Sequence, residues 1–124
     1  MDTKKELDFY KSITDRRLEQ ADTVYNALIS HFNFDKVECI ETGASQNLDD
    51  GCFGLYLAKI AQSKGGSYHS VDIYEDIVNK SKLIFEKYIP GLNVNHYVSD
   101  SVKFSKYFSA VLLATFNIEL IGTF

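Results

Sequence analysis

Three short apolar runs, each closing on a carboxylate and each followed by an amphipathic segment, constrain the fold of this chain more than any other feature. Lys36-Val37-Glu38-Cys39-Ile40 reads as a short buried strand leading into Glu41. Ser67-Tyr68-His69-Ser70-Val71 reads as a second strand ending at Asp72, and Leu92-Asn93-Val94-Asn95-His96-Tyr97-Val98 alternates like a third before Ser99-Asp100. Between them the spacing predicts a helix over 52–63, with Phe53, Leu57, Ile60 and Ala61 available for burial. A second predicted helix, over 75–88, carries Ile77, Ser81, Ile84, Phe85 and Tyr88 on one face. Gly65-Gly66 and Pro90-Gly91 supply the stops. Upstream, Tyr10, Ile13, Ala21, Tyr25, Leu28 and Phe32 form the stripe of one long helix over 6–32. Downstream, a helix is expected over 102–114 and a last strand over 116–121. Strands that alternate with helices through short connections pair in parallel by right-handed crossovers. The expectation is therefore a single α/β domain over 1–124, with its β-α units over 36–124.

Composition narrows the partners. A net charge of −4 with interspersed signs argues against nucleic acid, whose phosphates need a basic face. No stretch approaches the roughly 18 apolar residues that cross a bilayer, and the first residues, MDTKKELDFYKS, hold no apolar signal core. A cytoplasmic protein is expected. Cys39 and Cys52 are too few for a disulfide scaffold and are read as reduced, partly buried thiols.

The chemistry is concentrated at strand ends. In open parallel sheets, ligands bind outside the carboxyl ends of the strands. Glu41, Asp72 and Asp100 are delivered to that one rim, where they suit a donor-rich ligand bearing ribose hydroxyls, an exocyclic amine or an ammonium group. In the first turn, Glu41-Thr42-Gly43-Ala44-Ser45, Gly43 lets a ligand approach the backbone closely. The helix N-terminus beyond it favours a ligand carboxylate. A ligand that is anionic at one end and donor-rich at the other is an amino-acid nucleoside.

The runs Val37–Ser45 and Ser67–Asp72 resemble the class I S-adenosylmethionine-dependent methyltransferases, in the branch whose first motif reads Glu-Thr-Gly-small-Ser. The resemblance implies a Rossmann-like, doubly wound parallel sheet of order 3-2-1-4, truncated after its fourth strand, with S-adenosylmethionine as cofactor. It implies that Glu41 and Gly43 line the methionine end, with Ala44 and Ser45 of the same turn among the cofactor-binding residues. Asp72 would take both ribose hydroxyls, Ile73 pack on the adenine, and Asp100 meet the adenine amine, with Ser101 also among the cofactor-binding residues. The chain departs from the pattern in its first loop, which lacks the compact Gly-x-Gly-x-Gly and carries Gln46–Gly51, and in stopping after Leu120-Ile121-Gly122-Thr123-Phe124. No general base is assigned, and the methyl acceptor is unknown. The exposed 116–121 edge is expected to pair with a second copy or a partner chain. The rival reading is a non-catalytic remnant, or a self-associating module without cofactor turnover.

Other chemistries fare less well. Asp49-Asp50-Gly51 is read as a turn and cap rather than a metal site. His31, His69 and His96 lack zinc spacing. A nicotinamide site would need Gly-x-Gly-x-x-Gly, but the glycines fall at 43, 51 and 54. Asp100 doubles as a good N-cap for the helix after it.

Overall fold

The computed structural model describes residues 3–31, 36–104, 106 and 119–123. They form a mixed α/β fold around an open parallel sheet. The strands are β1 (Val37–Thr42), β2 (Tyr68–Asp72) and β3 (Val94–Val98), with β2 between the other two. The register places Cys39 opposite Tyr68 and Thr42 opposite Val71, then Val71 opposite Tyr97 and Asp72 opposite Val98. The carboxyl ends of all three strands therefore meet on one rim.

Four α-helices accompany the strands: α1 (Lys4–Ile13), α2 (Leu18–His31), α3 (Phe53–Ser63) and α4 (Glu75–Tyr88). A further helical segment starts at Ser101. The single long helix expected over 6–32 is in fact two. Thr14-Asp15-Arg16-Arg17 offers no apolar side chain to continue the stripe, Thr14 is extended, and Arg17 adopts a left-handed φ of 55°. Phe32 lies outside the described residues, as do 105, 107–114 of the expected fourth helix and 116–118 of the expected last strand; extended backbone there runs Glu119–Thr123. β1 starts one residue later than expected and runs two further, so Glu41 and Thr42 belong to the strand and not to the turn. Leu92 and Asn93 precede β3, where the Val94 amide donates back to the Leu92 carbonyl.

Helix α3 is buried on nearly every side, from Phe53 to Ala61 with Lys59 excepted. A helix apolar all round must lie between two layers. The sheet face of Val37, Cys39 and Tyr68 lies on one side, and α1 on the other, through Leu7 and Tyr10. Tyr10 stacks on Tyr56 at 5.6 Å and meets the edge of Phe53 at 5.8 Å. The C-terminus of α3 closes with a Schellman pattern. Gly66 N–H reaches the Ala61 carbonyl and Gly65 N–H reaches that of Gln62, with Gly65 at φ +71°. On α4 the fully buried residues are Val78, Ser81 and Phe85, while the expected Ile77 stays half-exposed.

The opposite sheet face carries a smaller apolar cluster of Ile40, Val71, Tyr97 and Phe104, and beside it a polar network. Glu38 accepts hydrogen bonds from the Ser67 amide (3.0 Å) and the Ser67 hydroxyl, and its carboxylate lies 3.3 Å from His69 Nε2. His69 Nδ1 lies 3.1 Å from the Tyr97 hydroxyl. A neutral imidazole with its proton on Nε2 satisfies both neighbours. Burial lowers the His69 pKa below the usual histidine range, against the upward pull of Glu38. On the α4 side, burial and then Lys82 lower that of His96 to about 4. Unfolding restores ordinary imidazoles, so below pH 6.5 the unfolded chain binds more protons than the folded one. Stability should accordingly be complete above pH 6.5 and fall as pH drops towards 4. The urea midpoint should track that fall, and His96→Phe should flatten it.

Candidate functional site

Two adjoining clefts lie along the rim formed by the strand ends. The first, of about 250 Å³, lies over the end of β1 and the start of α3. The second, of about 460 Å³, lies over the ends of β2 and β3. They share Thr42, Gly43 and Asp72, which makes one elongated depression.

In the first cleft, Glu41, Gly43, Ala44 and Ser45 are all wall residues. Glu41 is not a solvated strand end. It is 8% exposed, and its Oε1 accepts the Tyr68 hydroxyl from the neighbouring strand. Burial, and then the Glu41 charge, hold that phenol protonated far above its ordinary range. Gly54, on the first turn of α3, sits directly against this pair. A Cβ there would run into the Tyr68 hydroxyl, Glu41 Oε1 and the Phe85 ring. Gly54→Ala should cost about 1–3 kcal/mol through overpacking, although alanine favours a helix. An unchanged denaturation midpoint would show that α3 does not seat on the Glu41–Tyr68 pair.

Gly43 adopts φ +85°, and its amide donates to the Val71 carbonyl at 2.8 Å. No atom lies within 4 Å of where its Cβ would be, so the turn requires glycine for its backbone and leaves open space above it. Asp72 fixes the loop that follows. Its Oδ2 accepts the Ala44 amide at 3.1 Å, and its Oδ1 accepts the Tyr74 amide at 3.0 Å. A carboxylate has about four lone-pair directions, so Asp72 can brace the loop and still receive two donors from a ligand.

In the second cleft, Ile73 and Tyr74 are exposed at the mouth, 60% and 63%, next to Ile77 and above buried Val71. Asp100 Oδ1 accepts the amides of Val102 (2.9 Å) and Lys103 (3.1 Å), so Asp100 is the N-cap of the helical segment and also lines the cleft beside Ser101. Both bonds fall on Oδ1, which leaves Oδ2 for a ligand.

No family model, curated protein or solved structure matches this chain.

The site also holds residues that sequence reasoning did not single out. Arg17 and Cys52 line the first cleft, and they are the two non-glycine residues with positive φ among those described. Left-handed non-glycine backbone costs energy and persists where surrounding structure enforces it, often at functional sites. Packing supplies that enforcement here. The Arg17 side chain lies against Gly51, the Tyr10 hydroxyl donates to the Gly51 carbonyl, and the Cys52 thiol lies 2.8 Å from the Asn47 carbonyl. The one local signal for Arg17 was the polar break in the N-terminal stripe. Neither thiol is in a disulfide and both are buried, and burial pushes Cys39 up to about 12, so Cys39 is inert. Among the described residues no histidine, cysteine and carboxylate cluster could hold a metal ion.

Proposed function

We propose that the rim depression binds S-adenosylmethionine, and that the chain is a methyltransferase-like protein built on a Rossmann-like, doubly wound sheet. The observation that carries this reading is the shared cleft. Asp72 stands at its centre, with Gly43 open above the first strand and an acidic residue at each strand end along its length. In this reading Asp72 receives the ribose hydroxyls, Ile73 packs on the adenine, and Asp100 Oδ2 with Ser101 meets its amine. Glu41, Gly43, Ala44 and Ser45 enclose the methionine end. Arg17 adds a cation for the ligand carboxylate. Bound S-adenosylmethionine supplies an electrophilic methyl group. The part of these residues is to hold and orient it, the main source of acceleration in such a displacement.

The finer topology belongs to the same proposal. Glu119–Thr123, here β4, aligns in parallel beside β1, with Val37 opposite Glu119 and Glu41 opposite Thr123, which supports the order 3-2-1-4. Phe104 on the face opposite α3 and α4 supports double winding. A cytoplasmic location fits this reading, and among the described residues no helix is long and apolar enough to cross a membrane. Calorimetric titration with S-adenosylhomocysteine is the direct test. Heat of binding is expected, and none at high micromolar protein removes the cofactor.

The alternative is a self-associating, non-catalytic module, joined to a copy or a partner chain through the 116–121 edge. It is favoured by the position of β4 at the end of the sheet, with no strand beyond it among the described residues. Association without ligand affinity would select it.

A further inference from the structure

We propose that the opposite edge of the sheet, β3, is an interface between two copies of this chain, paired antiparallel about a two-fold axis at His96. It holds whether or not the cleft binds S-adenosylmethionine. Beyond β3 no strand neighbour exists among the described residues. The Tyr68 amide donates to the Asn93 carbonyl and the Ser99 amide to the Asp72 carbonyl, so the backbone of odd-numbered residues faces β2. With a period of two, the backbone groups of His96 and Val98 and the Val94 carbonyl face outward, the Val94 amide being turned back to Leu92. Exposed edges are ordinarily guarded by lysine, proline, a bulge or an inward charge. The sequence Val-Asn-His-Tyr-Val contains no lysine, proline or other charged residue.

The occupant follows from self-complementarity. Two valines stand symmetrically about His96, so an antiparallel copy centred there places Val98 of the copy opposite Val94. Hydrogen bonds then pass between the two His96 backbones and from each Val98 amide to the other copy's Val94 carbonyl. Val98 is 52% exposed and needs cover. Cover is at hand in a groove of about 460 Å³ between α4 and β3, walled by Phe85, Ile89, Leu92 and Val94. The charges bordering this groove are self-complementary too. His96 meets the Phe85 ring at 4.9 Å, which sets the axis in the C-terminal half of α4, between Lys82 and Glu86. Exposed Lys82 and Glu86, one turn apart, then face each other's counterparts across the axis. An isologous contact requires that kind of reciprocity.

Sedimentation equilibrium at tens of micromolar tests the interface. The unaltered chain is expected to be a dimer, and Val98→Lys, which adds the missing edge guard at an exposed position, should weaken it roughly tenfold or more. Lys82→Glu sets like charges across the axis and should also weaken the dimer. Lys82→Glu with Glu86→Lys should restore it to within roughly threefold of the unaltered chain, because the swap re-forms the pairs. At concentrations low enough for the chain to be monomeric, each variant should keep the unfolding midpoint of the unaltered chain. A monomeric unaltered chain overturns the proposal, as does a dimer that survives both Val98→Lys and Lys82→Glu.

Discussion

Asp72→Ala should raise the dissociation constant for S-adenosylhomocysteine roughly 30- to 100-fold, while Asp49→Ala leaves it within about twofold. The two carboxylates carry the same charge, so a general electrostatic effect would move both. Asp72 stands in the shared part of the depression, whereas Asp49 is exposed on the 3-10 turn Leu48–Asp50 and lines neither cleft. The size of the effect has two sources. A charge-assisted hydrogen bond contributes roughly 1.5–3 kcal/mol, and the Ala44 and Tyr74 amides also lose their acceptor. Asp72→Asn separates these sources, because its remaining carbonyl oxygen can still brace one amide. Calorimetry measures affinity, and a parallel denaturation curve reports the loop. Unchanged affinity in Asp72→Ala would remove the ribose from this site.

The largest loss of stability is expected at Gly66→Ala, on the order of 3 kcal/mol or more, with the comparison variant Gly65→Ala costing about 1 kcal/mol. The two adjacent glycines are needed for different reasons. Gly65 has φ +71° with open space around its missing side chain, so alanine there meets only the left-handed penalty. Gly66 has no such φ, but a Cβ on it would overlap the Val37 carbonyl and crowd the Glu38 amide. Backbone cannot rotate out of the way as a side chain can. Since Val37 begins β1 and the Gly66 amide closes α3, the clash would push apart the two elements that frame the first cleft. Urea denaturation of both variants reads the order directly. Equal midpoints would mean that the connection between α3 and β2 does not pack against β1.

Much of the fold was legible because its signals are local. Helix α4 occupies the predicted span, since an acidic first turn and the Pro90-Gly91 stop bracket a clear helical period. Asp72 ends β2 as read, and Asp100 caps as its Ser-Asp-Ser setting indicated. The split of the N-terminal helix was written in Thr14–Arg17, but the apolar residues on either side mimic one continuous stripe and conceal it. By contrast, nothing near Glu41 foretells that its carboxylate is sealed by a tyrosine 27 positions away. The same is true of Gly54, whose role exists only because Tyr68, Glu41 and Phe85 converge on it.

By itself, then, the sequence determined the alternation of elements and the delivery of Glu41, Asp72 and Asp100 to strand ends. Those properties depend on side-chain periods of two and 3.6 and on turn residues a few positions apart. Tertiary structure alone decided which groups complete the cleft. Arg17 reaches it because the α1–α2 break packs on Gly51, held by a Tyr10 bond across 41 positions. Cys52 enters it because the loop before α3 forces that residue into a left-handed turn. Long-range packing sets such contacts, and no local period encodes them.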